Sequence, residues 1–177
     1  MPGVINFLYR RALEAMSRNS ESKTLHIVLD NIRSAFNVGS VFRTADAIGN
    51  CQIYLCGITS TIDNPKIYKT ALGATESVPS KHYPDSMMAI SELKEANIPI
   101  FSVEITDGSQ HFQEVEYPEE VALVLGHERL GVNQLIIDQS DKLIHIPMNG
   151  MKESLNVAIA GSVIMYEAVR PSIKPLK

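Results

Sequence analysis

Three polar stretches hold most of the residues that could do chemistry. The first, NIRSAFNVGSVFRTADAIG from Asn31 to Gly49, carries Asn37 and a lone arginine, Arg43, where a glycine-bearing loop runs into a helical pattern. A guanidinium just past a strand end can hold a phosphate or stabilise a developing oxyanion. It can equally lie along its own helix and pair with Asp46 at i+3. The second stretch, GHERLGV from Gly126 to Val132, sets Glu128 directly after an apolar run, as an orienting carboxylate or a surface one. Gly126 itself leaves room for a ligand to lie against the backbone. The third, MKESLNVAIAG from Met151 to Gly161, brings Ser154 and Asn156 to the start of a helix, where serine is also a natural N-cap. All three follow strand ends, and in open parallel sheets ligands bind beyond the carboxyl ends of strands. Together they point to one shared cleft.

The elements that must position these residues alternate between strand and helix. That pattern predicts an α/β fold with a mainly parallel sheet and flanking helices, in one domain spanning 1–177. A helix is expected from Val4 to Arg18, then a buried strand LHIVL at Leu25–Leu29 and a helix from Val38 to Ile48, with Asn37 as N-cap and Gly49 as its stop. CQIYLCG reads as the second strand. Asn64 and Pro65 open a short turn around Lys66–Thr70, after which ALGATESVPS reads as extended chain. Asp85 caps a helix to about Ala96; IPIFSVE and VALVLG are further strands. A short helix at Asn133–Asp138, the strand KLIHIP and a last helix from Leu155 to Val169 complete the chain.

With 177 residues, 45% of them hydrophobic, the chain can bury one substantial core. No apolar run approaches the roughly 18 residues of a spanning helix, and no secretory pattern opens the sequence. Cys51 and Cys56, an odd five positions apart in one strand, face opposite sides and do not pair, which suits a reducing cytoplasm. No patterned His/Cys cluster suggests a metal. Neither GxGxxG nor GxxxxGK[ST] occurs, which argues against a dinucleotide-binding Rossmann fold or a P-loop. The net charge of −4 is uneven: residues 1–81 hold nine Lys/Arg against six Asp/Glu, and residues 82–177 hold seven against fourteen. If RNA binds, the basic N-terminal half, with Arg10, Arg11, Arg18, Arg33, Lys66, Lys69 and Lys81 beside Arg43, is the side that meets phosphates.

Taken in order, the three stretches resemble the SpoU (TrmH-like) branch of the SPOUT RNA methyltransferases. An Asn-x-x-x-x-x-Arg motif with a following acidic-Ala-x-Gly stands at Asn37, Arg43, Asp46, Ala47 and Gly49. A Gly-x-Glu-x-x-Gly motif is Gly126, Glu128 and Gly131. Ile-Pro-Met with a later Ser-Leu-Asn is Ile146, Pro147, Met148, Ser154, Leu155 and Asn156. The match runs from about Leu25 to Arg170. The residues around the glutamate depart from the family's smaller ones, and His127 and Arg129 read as facing solvent.

The resemblance implies methyl transfer from S-adenosylmethionine to a ribose 2′-hydroxyl. It also implies a deep trefoil knot over about residues 121–170 and a homodimer whose active site is completed across the interface. The cofactor would lie against Val103, Glu104, Leu125, Gly126, Ile144, Ile146, Ser154 and Leu155. Arg43 would hold the RNA phosphate and stabilise alkoxide charge, since a guanidinium is too weak an acid to serve as a free base. Asn37 would position the arginine or the ribose, Glu128 would orient Arg43 or its neighbours, and Ser154 and Asn156 would fix the nucleotide or its loop. Only about 24 residues precede the first strand, a short helical arm, so a compact structured RNA such as tRNA is favoured over an rRNA segment. The alternatives are the same reaction on rRNA, methylation of a base, and a non-catalytic knotted RNA-binding homodimer.

Overall fold

The computed structural model describes residues 23–170; the expected first helix, with Arg10, Arg11 and Arg18, lies outside them. Seven strands are β1 (Thr24–Asp30), β2 (Cys51–Cys56), β3 (Ser80–Tyr83), β4 (Ile100–Val103), β5 (Gln110–His111), β6 (Glu120–Leu125) and β7 (Lys142–His145). They form one sheet in the order β3-β2-β1-β6-β4-β7-β5, and every pairing is parallel. Six helices connect them: α1 (Ala35–Ile48), α2 (Pro65–Ala71), α3 (Ala74–Ser77), α4 (Ser86–Glu95), α5 (Gln134–Ile137) and α6 (Val157–Val169).

Strands covered on both faces read as continuous apolar runs, and the central pair β1 and β6 is buried almost throughout. Leu25, Ile27 and Leu29 pack with Val38 and Phe42 of α1 and Ile164 and Met165 of α6. Val28, Tyr54 and Val124 pack on the other face with Ile90 and Leu93 of α4 and Ile136 of α5. Cys51 and Cys56 fall into opposite cores as free thiols, each pushed up to about 12 by burial, and so are poor nucleophiles. Among the described residues, no helix is long and apolar enough to cross a membrane.

Both helices bearing the polar motifs begin elsewhere than their sequences suggest. Ser34, not Asn37, caps α1, its hydroxyl accepting from the Asn37 backbone N–H at 3.3 Å; the Asn37 side chain is drawn to Glu128 instead. Asn156, not Ser154, caps α6, its Oδ1 accepting from the backbone N–H of Ala158 and Ile159. The stretch ALGATESVPS is not extended: Leu72 (φ 50°) and Gly73 (φ 90°) turn the chain into α3, and only Ser80 begins the edge strand β3. The two-residue β5 is too short for a periodic pattern to reveal.

The direction of α1 depends on Gly39, where a Cβ would stand 1.9 Å from Thr70 Oγ1 and 2.7 Å from the Ile67 carbonyl oxygen of α2. The threonine can rotate away, but the carbonyl cannot. Gly39→Ala is therefore expected to destabilise the fold by about 1–3 kcal/mol, read as a lowered Tm in thermal unfolding; an unchanged Tm would show that the two helices are not locked there.

Candidate functional site

The loop before α1, the turn after β6 and the start of α6 converge on Glu128. Its carboxylate accepts from the backbone N–H of Arg33 and Ser34, both at 3.0 Å, and from Asn37 Nδ2 at 3.1 Å. Asn37 Oδ1 in turn accepts from Asn156 Nδ2 at 3.1 Å. Side chains 91 and 119 positions from Asn37 are thus joined in one hydrogen-bonded chain. Burial pushes the Glu128 carboxyl up, but the bonds from Arg33, Ser34 and Asn37 outweigh it and hold the group below the usual glutamate range. A carboxylate so engaged is a clasp. It holds neighbours of Arg43 and does not touch the guanidinium.

A residue outside the three motifs braces the same region. Asp30, 1% exposed at the end of β1, accepts from Ser86 Oγ at 2.5 Å, from Asn31 Nδ2 at 2.8 Å and from the Asn133 N–H at 3.0 Å. It ties the strand preceding the first motif to the cap of α5 that follows the second. An aspartate at a strand end gave no sign of this in the sequence, because its partners lie 56 and 103 positions away.

Beyond the ends of β4, β6 and β7 lies a cavity of about 240 Å³. Val103, Glu104, Leu125, Gly126, Ile146, Ser154 and Leu155 all line it. Ile144 does not: its side chain is fully buried in the core, and its carbonyl accepts from the Glu104 N–H at 3.0 Å. Nor does Gly126 leave its space to a ligand. A Cβ there would stand 2.3 Å from Gly131 C and Val132 N, so the close approach is that of the chain's own turn. Glu104 clamps that turn, accepting from the Val132 N–H at 2.9 Å, while Gly131 takes φ 73°. His127 lines the cavity, where its Nδ1 accepts from the N–H of Arg129 and Leu130; Arg129 is exposed at the rim. Ser154 is exposed at the mouth.

Neither His145 nor the turn that holds its ring belongs to the three motifs. His145 at the end of β7 lines the wall, with Nδ1 3.0 Å from Ser109 Oγ. In the same 106–109 turn, Thr106 Oγ1 is the one buried side-chain oxygen or nitrogen among the described residues with no partner. Such an orphan costs about 1–3 kcal/mol. The cavity thus offers apolar walls (Val103, Leu125, Ile146, Met148, Leu155) with a few polar groups at its ends, a lining that suits an adenosyl cofactor.

Arg43 stands apart from this cavity. It is exposed on α1 and lines a second recess with Ser40, Thr44, Lys69, Thr70 and Tyr166, between α1, α2 and α6. Asp46 accepts instead from the Ser77 hydroxyl, and among the described residues no ion pair engages Arg43. Arg33, Lys66 and Lys69 are exposed, while Lys81 pairs with Glu92 at 2.5 Å. Along α6, Ile159, Val163 and Tyr166 continue from Leu155 as a stripe of apolar side chains 38–56% exposed.

The model of the SpoU rRNA methylase family matches residues 24–166. A tRNA (guanosine(18)-2′-O)-methyltransferase of Thermus thermophilus is 31% identical over 165 residues, covering 93% of this chain and 84% of that protein. Among solved structures, the SpoU methyltransferase AviRb from Streptomyces viridochromogenes in complex with AdoMet superposes with a TM-score of 0.75 at 27% identity, over 85% of this chain and 61% of its own. A structure described as giving insight into 2-OH methylation of C/U34 on tRNA has a TM-score of 0.75 at 28% identity, over 84% of this chain and 95% of its own.

Proposed function

Since the chain belongs to the SpoU rRNA methylase family, we propose that it methylates a ribose 2′-hydroxyl of tRNA, using S-adenosylmethionine. The observation that carries this reading is the Glu128–Asn37–Asn156 chain, which joins the wall of the cofactor cavity to the helix that bears Arg43.

S-adenosylmethionine supplies an electrophilic sulfonium methyl when bound. Val103, Leu125, Ile146 and Leu155 enclose it and Gly126 and Glu104 keep the turn beside it rigid. A ribose hydroxyl is a very weak acid, so as its oxygen takes the methyl and S-adenosylhomocysteine is left, its proton must pass to water and the charge developing on the aligned oxygen must be met. Arg43 meets that charge and the adjoining phosphate, acting as a fixed cation. Asn37 and Asn156 hold the nucleotide-facing loops, Glu128 sets their geometry, and Ser154 at the mouth contacts the reacting nucleotide. Arg33, Lys66 and Lys69, with Arg10, Arg11 and Arg18, contact RNA phosphates.

Arg43 lies in a different recess from the cofactor residues of its own chain. In a homodimer it serves the partner's cavity. The exposed Leu155, Ile159, Val163 and Tyr166 supply the apolar face for that contact. The segment of about 121–170 forms a deep trefoil knot in this reading, as the family resemblance implies, and the order β6-β4-β7 with α6 packed back on the same core accords with it. The enzyme works in the cytoplasm, where its buried free thiols persist.

The test is to incubate the protein with methyl-labelled S-adenosylmethionine and separate pools of tRNA and rRNA, then digest each to nucleosides. Label in 2′-O-methyl nucleosides from tRNA is expected. Label confined to rRNA would overturn the substrate, and no label in either pool would favour a binding protein.

A further inference from the structure

His145 belongs to none of the three motifs, yet its ring forms part of the cofactor cavity. Its hydrogen-bonding roles follow from what surrounds it. The Ser109 hydroxyl gives its proton to the Thr106 carbonyl at 2.7 Å and accepts from the Thr106 N–H at 3.1 Å. With the hydroxyl proton directed at that carbonyl, only a lone pair remains for the imidazole, which assigns Nδ1, at 3.0 Å, as the donor. In the neutral ring that leaves Nε2 as an acceptor, and among the described residues nothing bonds to it.

The two ends of the cavity differ in kind. Glu128 follows β6 and, through Asn37, holds Asn156, two residues beyond the Ser154 at the cavity mouth that meets the reacting nucleotide, so the transferred methyl belongs near that end. His145 ends β7, two strands away across β4. At about 4.8 Å per strand this is about 10 Å from the end of β6, on the side of the cavity remote from the chemistry. Between them stand Val103, Leu125 and Ile146, apolar walls for a flat ring.

We propose that His145, oriented by Ser109, accepts a hydrogen bond through Nε2 from the exocyclic amino group of the cofactor's adenine and thereby selects a 6-aminopurine over a 6-oxopurine. The inference rests on the reading of this cavity as the S-adenosylmethionine site. A 6-oxo group would bring an acceptor against an acceptor, leaving both without a partner in a partly enclosed site. The unpartnered Thr106 Oγ1 shows that the same turn holds a further polar group not satisfied by the chain alone.

Calorimetric binding of S-adenosylhomocysteine and S-inosylhomocysteine tests this without turnover. The wild-type protein is expected to prefer the adenosyl compound by about tenfold or more. His145→Phe, which keeps a ring in the wall, is expected to lose most of that preference, and Ser109→Ala to reduce it. Thermal unfolding of each variant shows that it is folded. If His145→Phe binds both compounds with the wild-type preference, His145 only packs against the 106–109 turn and the inference is overturned. If the wild-type protein binds neither compound, the cofactor reading itself falls, and this one with it.

Discussion

Arg43→Ala lowers kcat by about 100- to 1,000-fold or more while leaving the affinity for S-adenosylhomocysteine within about twofold. The two halves of this result have separate structural causes. The guanidinium is exposed in the recess between α1, α2 and α6 and makes no contact with the cofactor cavity, so binding there proceeds without it. Its loss removes the only fixed cation the account places at the ribose oxygen. Arg43→Lys restores part of the rate at most, because an ammonium offers a point charge where the planar fork can meet phosphate and alkoxide together. Single-turnover rates and calorimetry on the same preparations measure the two quantities. A variant that loses cofactor binding in step with turnover would place Arg43 in the cofactor site instead. If Arg43 serves the partner's cavity, mixed dimers of Arg43→Ala with a cofactor-dead variant recover activity that neither homodimer has.

Glu128→Ala separates the three clusters from one another. It leaves the Arg33 and Ser34 N–H groups and the Asn37 amide without their acceptor, and Asn37 then loses its fixed orientation towards Asn156. The site is partly exposed, so water replaces some of these bonds, and a loss of about 1–3 kcal/mol is expected, or roughly 3–10 °C in Tm. The pH dependence carries the sign of the Glu128 carboxyl, whose folded-state pKa is held below its unfolded value. Its contribution is fully present above an unfolded pKa of about 4.3 and is lost as pH falls through the lower folded value. The wild-type advantage over Glu128→Ala therefore holds from neutral pH to about pH 5 and shrinks in acid. An advantage that grows on acidification would mean that Glu128 is not held as an ionised clasp. Turnover falls alongside, because the loops of Asn37 and Asn156 are no longer held together.

The sheet was legible in the sequence because strands buried on both faces are continuous apolar runs, and VALVLG and LHIVL are short, β-branched-rich runs of that kind. Local capping rules failed where a distant partner competed. Asn37 is a good N-cap by type, but Glu128, 91 positions away, takes its amide, and Ser34 caps in its place. Gly126 was legible as a close approach, though not what approaches it: the occupant is the turn at Gly131 and Val132, a contact made only once Glu104 clamps that turn. Ile144 and His145 are adjacent in one strand, and strand alternation sends one side chain to the core and the other to the cavity. Residue type alone does not distinguish which of them faces the cavity. Asp30 was hidden for the same reason as Glu128's partners, since its bonds cross 56 and 103 positions of chain.

A methyl group on a ribose oxygen removes the 2′-hydroxyl through which alkali cleaves RNA, and this gives the most direct test of the whole account. tRNA labelled by the wild-type protein from methyl-labelled S-adenosylmethionine is hydrolysed in alkali and its products are separated by size. The label is expected in an alkali-stable dinucleotide, and no such product is expected with Arg43→Ala. Label released entirely as mononucleotides would place the methyl on a base and contradict it.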